Sequence, residues 1–119
     1  MGTLLALKPD LTEEDLGLIS PFGKKLFHAL QDYGAYIVDN AGWNSYDFSI
    51  ELGVRDEIEQ LYNMRTCGWA MEAETQEERD YVHDLAMMVQ SLCVIDNNSP
   101  DNIGGGGKPR APLAPDIKF

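Results

Sequence analysis

Five polar and aromatic residues close to one predicted turn have the chemistry of a sugar-binding site. They are Asp39, Asn40, Trp43, Asn44 and Asp47. An indole ring can stack on the apolar face of a sugar, while carboxylate and amide groups hold its hydroxyls. The same residue types also form ordinary turns, in which Asp39 and Asn40 bond to the backbone and Trp43 covers the edge of the core. The pattern therefore predicts either a carbohydrate-binding loop or a plain turn.

The carboxylates of this group, Asp39 and Asp47, also suggest glycoside cleavage as a function. Glycosidases place two carboxylic acids at a defined separation across a cleft. With 20 acidic residues in a chain of 119, accidental pairs are common, so proximity in sequence does not identify such a cleft. Asp39 or Asp47 could act as acid or base only with a second carboxylate supplied by another segment or chain.

A second group of oxygen-bearing side chains lies at Asp96, Asn98, Asp101 and Asn102. Carboxylate and amide oxygens are the ligands that calcium prefers. The segment lacks the spacing, the central glycine and the closing glutamate of an EF-hand loop, and its residue types also favour turns. Calcium bound by Asp96, Asn98 and Asp101 is one prediction and a metal-free turn is the other. We expect no other cofactor.

The charge balance excludes two classes of partner. Nine basic and 20 acidic residues give a net charge of −11, which repels phosphate backbones and anionic lipid surfaces. We therefore expect no nucleic-acid partner and no membrane partner. Residues 104–119 differ from the rest, because they hold three basic residues and one acidic residue. This basic ending could dock onto the acidic body of the chain.

Capping signals and apolar periodicity predict three helices. Ser20-Pro21 begins the first, because serine caps free amides and proline at the first helical position gives up an N–H that has no partner. Gly34 ends this helix. Apolar residues at helical spacing place the second helix after Gly53, and the Thr75–Glu78 segment matches the capping box of a third.

Apolar and β-branched residues predict three strands, over residues 4–7, 35–39 and 46–52. The last two form a predicted hairpin around residues 40–45, with Trp43 at least partly exposed and Trp69 more buried. The predicted fold class is α+β, a small antiparallel sheet covered by about three helices. Three short strands are few for so many helices. We therefore expect the sheet to complete a larger β-rich domain, supplied by a protein partner or by an upstream segment of the same chain.

The chain is predicted to divide into one α+β domain, residues 1–103, and an extended C-terminal strap, residues 104–119. Four glycines allow sharp turns, and three prolines stiffen the segment that follows. Three apolar residues could anchor the strap, so we expect it to be ordered. They are Leu113, Ile117 and Phe119.

Three segments form a pattern that extends over most of the chain. They are FHALQDYGAYIVDNAGW at 27–43, VIDNN at 94–98 and GGGGKPRAPLAP at 104–115. This pattern resembles the C-terminal region of a poorly annotated group of large, secreted bacterial proteins that often carry extra binding modules. The resemblance implies an extracellular location and a segment that closes a longer domain. It supplies no catalytic motif.

The sequence is compatible with two functions. The first is a non-catalytic structural or binding segment of an extracellular bacterial protein, associated with carbohydrate. The alternative is part of a carbohydrate-active enzyme whose cleft is completed by another segment or chain. Residues 1–9 lack the basic region and cleavage site of a signal peptide, so a cytoplasmic protein is the alternative location. Cys67 and Cys93 could pair in an oxidising compartment or remain free thiols.

Overall fold

The computed structural model describes residues 2–40, 42, 47–65, 73–106, 108 and 110–112. In these residues the elements are β1 (Leu4–Ala6), α1 (Pro21–Asp32), β2 (Ala35–Tyr36), α2 (Leu52–Tyr62), α3 (Gln76–Ser91) and β3 (Cys93–Val94), followed by a 3-10 turn at Ile103–Gly105. The strands form an antiparallel sheet in the order β2-β1-β3. The α+β fold class is thus confirmed.

Helix α1 begins and ends where its capping residues predict. The Ser20 side chain accepts a hydrogen bond from the backbone N–H of Gly23 at 2.9 Å, and Pro21 occupies the first helical position. Gly34 follows the helix with φ of 72°. A Cβ on Gly34 would lie 2.9 Å from a side-chain carbon of Leu4. This residue therefore turns the chain while allowing β2 to approach β1 closely.

A buried carboxylate joins the start of α1 to the middle of α3. Asp84 is completely buried, and its oxygens accept from the N–H of Ile19 at 2.9 Å, the N–H of Ser20 at 2.7 Å and the Ser20 hydroxyl at 2.8 Å. A Cβ on Gly23 would overlap Asp84 Oδ2 and lie 2.6 Å from Ser20 Oγ. The absence of a side chain at residue 23 therefore allows this contact between the two helices.

The main core lies between α1, α3 and the loop that leads from β1 to α1. Its buried members are Leu7, Leu16, Leu18, Phe27, Leu30 and Met88. The buried amide of Gln31 donates to the carbonyls of Lys8 and Leu11 at 2.8 and 2.9 Å, which fixes the loop against α1. These contacts give the carbonyls of Lys8 and Leu11 hydrogen-bond partners.

The predictions of the second and third helices are confirmed, whereas the predicted hairpin of residues 35–39 and 46–52 is wrong. Helix α2 begins one residue before Gly53, and α3 begins at the predicted capping box. Residues 47–51 are not a strand, and β2 pairs with β1 instead of with this segment. Phe48 packs against the core from an irregular segment, which accounts for part of the alternating pattern. The other edge of β1 is occupied by β3, which was not predicted.

Arg110 of the basic ending contacts the body of the chain. Arg110 donates to the Asp32 carboxylate at 2.9 Å, to the Gln31 side-chain carbonyl at 3.1 Å and to the Pro9 carbonyl at 3.4 Å. The three apolar anchors predicted for the strap lie outside the described residues. An ordered strap over residues 104–119 and a domain boundary at residue 103 therefore stay predictions.

The joint between α1 and α3 can be tested by the substitution Asp84→Asn. The new amide NH₂ has donors where the carboxylate had acceptors, so buried N–H groups lose their partners, and we expect the free energy of unfolding to fall by about 2 kcal/mol. Urea denaturation monitored by circular dichroism measures this change. Asp80→Asn, one turn earlier on α3, is the matched control and should change stability much less. Equal effects of the two substitutions would contradict this assignment.

Candidate functional site

The structure shows part of the predicted carbohydrate loop. Asp39, Asn40 and Asp47 are exposed, and Asp39 Oδ1 accepts from the Asn40 N–H at 2.8 Å. This bond ties the Asp39 carboxylate to the backbone of its neighbour. Trp43 and Asn44 lie outside the described residues, as do Trp69 and Cys67, whereas Cys93 is a free thiol. The carbohydrate-binding loop stays a prediction.

The predicted calcium segment uses its amide side chains to hold its own turn. The Asn98 side-chain oxygen accepts from the Gly104 N–H at 2.8 Å and from the Tyr36 hydroxyl at 3.3 Å. Asp96 and Asp101 are exposed. Within the described ranges, no cluster of three or more His, Cys, Asp or Glu side chains is placed to hold a metal ion. The turn explains the amide contacts, and calcium binding stays a prediction.

A polar cavity of about 490 Å³ opens between the end of α2 and the start of α3. The residues around it are Arg55, Glu59, Asn63, Met64, Arg65, Glu74, Thr75 and Glu78. Arg65 donates to both carboxylate oxygens of Glu78, at 2.8 and 2.9 Å, and to the Glu74 carboxylate at 2.9 Å. Glu78 also accepts from the Glu74 N–H at 2.8 Å and completes the capping box with Thr75. This two-pronged contact ties α3 to the chain segment after α2.

The same contacts shift the protonation equilibria of both side chains. The hydrogen bonds from Arg65, followed by that from the Glu74 N–H, hold the pKa of Glu78 far below its ordinary value. The Glu78 hydrogen bond in turn raises the pKa of Arg65. Both groups therefore stay charged across the neutral range. The capping box identified Glu78 from the sequence, but no local signal identified Arg65 as its partner.

Large apolar side chains are exposed at the end of β2 and directly after it. Tyr36, Ile37 and Val38 are all exposed, with Val38 at 67%. On the opposite edge Val94 is 61% exposed.

No relative supplies a function for this chain. Comparison with protein-family models, curated proteins and solved structures finds no match. Along the described helices, none is long and apolar enough to cross a membrane.

The pairing of Glu78 with Arg65 predicts a specific dependence of stability on pH. Because the folded-state pKa is lowered, the stabilisation is present above the unfolded-state value, about 4.3, and is lost as the pH falls below it. We expect Glu78→Gln to reduce the free energy of unfolding at pH 7 and to bring it closer to the wild-type value in acid. Denaturation curves from about pH 7 to about pH 2 measure this.

Glu77→Gln provides the matched control for this measurement. Glu77 is an exposed residue of the same first turn, so its substitution changes the net charge equally without touching Arg65. The proposed pairing would be contradicted if the free energies of unfolding of the wild type and Glu78→Gln differed by the same amount across the pH range.

Proposed function

We propose that this chain is a non-catalytic structural or binding segment of an extracellular bacterial protein, and that its short sheet is completed by a larger β-rich protein partner. The observation that carries the proposal is the apolar surface left exposed at the sheet edge. The strands contain only three, two and two residues. A sheet this small gains independent stability only through further strands or helix packing.

Packing of the helices covers only part of the apolar surface. Helix α1 packs against β1 and α3, and the main core is formed by six buried residues. Twelve large apolar side chains in the described residues remain exposed. Scattered exposed apolar residues are normal, but three consecutive ones at an open strand edge favour a docking surface.

The charge of the chain supports docking onto a different molecule. A net charge of −11 keeps copies of the chain apart. A partner with neutral or basic surface would not meet this repulsion. The charge therefore favours a heterologous partner over a second copy.

The extracellular location and the carbohydrate association rest on sequence alone. The resemblance of segments 27–43, 94–98 and 104–115 supports secretion, and the residue types around Trp43 support sugar binding. If the loop binds sugar, Trp43→Ala will abolish that binding while the circular dichroism spectrum is retained. This part of the proposal adds a ligand to the docking role and does not replace it.

Sedimentation velocity of the 119-residue chain tests the docking role. In about 0.05 M salt, charge repulsion should keep the chain monomeric, whereas in about 1 M salt, where the screening length is about 3 Å, apolar surfaces should drive association. A compact monomer at both salt concentrations, across a wide range of protein concentration, would contradict the proposal.

Two double variants locate the surface that associates. Val38→Lys with Val94→Lys places a charge on each sheet edge, and we expect it to abolish association at high salt. Leu52→Lys with Leu61→Lys adds the same charge at exposed leucines of α2 and should leave association unchanged. Equal loss in the two variants would contradict docking through the sheet.

A further inference from the structure

We propose that the outer edge of β2 binds one extended strand of a partner protein, with alternating apolar and basic side chains, as the fourth strand of the sheet. This inference rests on the proposed docking role and specifies its site and the chemistry of the partner. We define the β2 edge as the outward-facing backbone groups of residues 36–38.

The backbone at Ile37 fixes which groups face outward. The Ile37 N–H donates to the Thr3 carbonyl at 2.9 Å, and the Ile37 carbonyl accepts from the Gly2 N–H at 2.7 Å. Both polar groups of Ile37 therefore face β1. Because the direction of these groups alternates along a strand, those of Tyr36 and Val38 face the opposite side. In the part of the chain that the structure describes, no strand lies beyond β2 on that side.

The opposite edge of the sheet has a different environment. After β3 the chain folds into the turn that precedes Gly104, and Gly105 packs closely against Ile95. The Asn97 side chain donates to the Gly105 carbonyl. The chain therefore folds back over the end of β3. The β2 edge has no such cover among the described residues, so it is the better position for an added strand.

The side chains of residues 36–38, at the end of β2 and directly after it, define the apolar part of the recognition. Tyr36, Ile37 and Val38 are each at least 40% exposed. Strand addition combines main-chain hydrogen bonds, which provide affinity, with side-chain contacts, which provide specificity. Because side chains alternate between the two faces of a strand, an incoming strand with apolar residues at alternate positions can cover Tyr36 and Val38 while its backbone meets the β2 edge.

The charges around β2 define the polar part of the recognition. Asp39 directly follows Val38 and is exposed, and residues 1–103 carry 19 acidic and six basic residues. A second copy at this edge would be repelled by the net charge of −11 that both copies carry. Basic side chains on the incoming strand would meet Asp39 favourably. The partner strand is therefore basic, and a second copy is disfavoured.

The test uses two proline variants that differ only in which sheet edge they alter. Val38→Pro removes an outward N–H from the β2 edge, and proline is tolerated at edge positions whose N–H points away from the sheet. Val94→Pro is the matched control, because Ile95 donates to the Leu4 carbonyl at 3.0 Å, so alternation directs the Val94 N–H outward on β3. Circular dichroism checks that both variants retain the fold.

The probe is a capped peptide of about ten residues that alternates valine and lysine. Its affinity for the 119-residue chain is measured by fluorescence anisotropy in about 0.05 M salt. We expect equal affinity for the wild type and Val94→Pro, and a loss of about tenfold for Val38→Pro. A valine–glutamate peptide of the same length should not bind. A valine–lysine peptide that is N-methylated at alternate residues should also fail to bind the wild type, which tests the backbone contacts without changing the protein.

Several results would overturn the inference. They are unchanged affinity of Val38→Pro, equal loss in Val94→Pro, binding of the glutamate peptide, and full binding of the N-methylated peptide. A discrete dimer at low salt that Val38→Pro abolishes would place a second copy at the edge and also overturn it. If the chain associates at high salt but Val38→Pro binds normally, only this inference fails. A compact monomer under all conditions contradicts the docking role itself.

Discussion

The Asp84 carboxylate is the contact on which the arrangement of helices and sheet depends. Asp84 lies in the middle of α3 and accepts three hydrogen bonds from groups at the start of α1. It is completely buried. Burial of a carboxylate is costly unless such partners are present. With α1 fixed in this way, Gly34 places β2 directly beside β1. The start of α1 is thus fixed by Asp84, and the strand after its other end is fixed by pairing with β1.

The small size of the sheet connects this architecture to the proposed function. The helices bury one side of the structure around α1, but two edge strands of two residues each cannot cover the apolar residues beside them. The acidic surface opposes pairing between copies. Exposed apolar groups and a strong net charge together favour a partner of different composition.

Local signals in the sequence predicted the helices. The strand pairing and the contact of Arg65 with Glu78 were not predicted, because they join residues far apart in the sequence. Ser20 and Thr75 cap helices through groups only three residues away, so their roles can be read from neighbouring residues. The hairpin was wrong because β2 pairs with a strand about thirty residues earlier, and strand pairing depends on tertiary context. Arg65 likewise meets Glu78 across thirteen positions. The predicted sugar loop and calcium segment consist of residues that also form turns, so their types alone could not decide their role.

Amide hydrogen exchange at Ile37 and Val38 tests most directly whether the sheet has an open edge that accepts a strand. In the isolated chain, we predict slow exchange at Ile37, whose N–H is bonded to Thr3, and fast exchange at Val38, whose N–H faces outward. Addition of the valine–lysine peptide should slow exchange at Val38 and leave Val94 unchanged. Protection of Val38 equal to that of Ile37 in the isolated chain, or no protection of Val38 when the peptide is bound, would contradict the account.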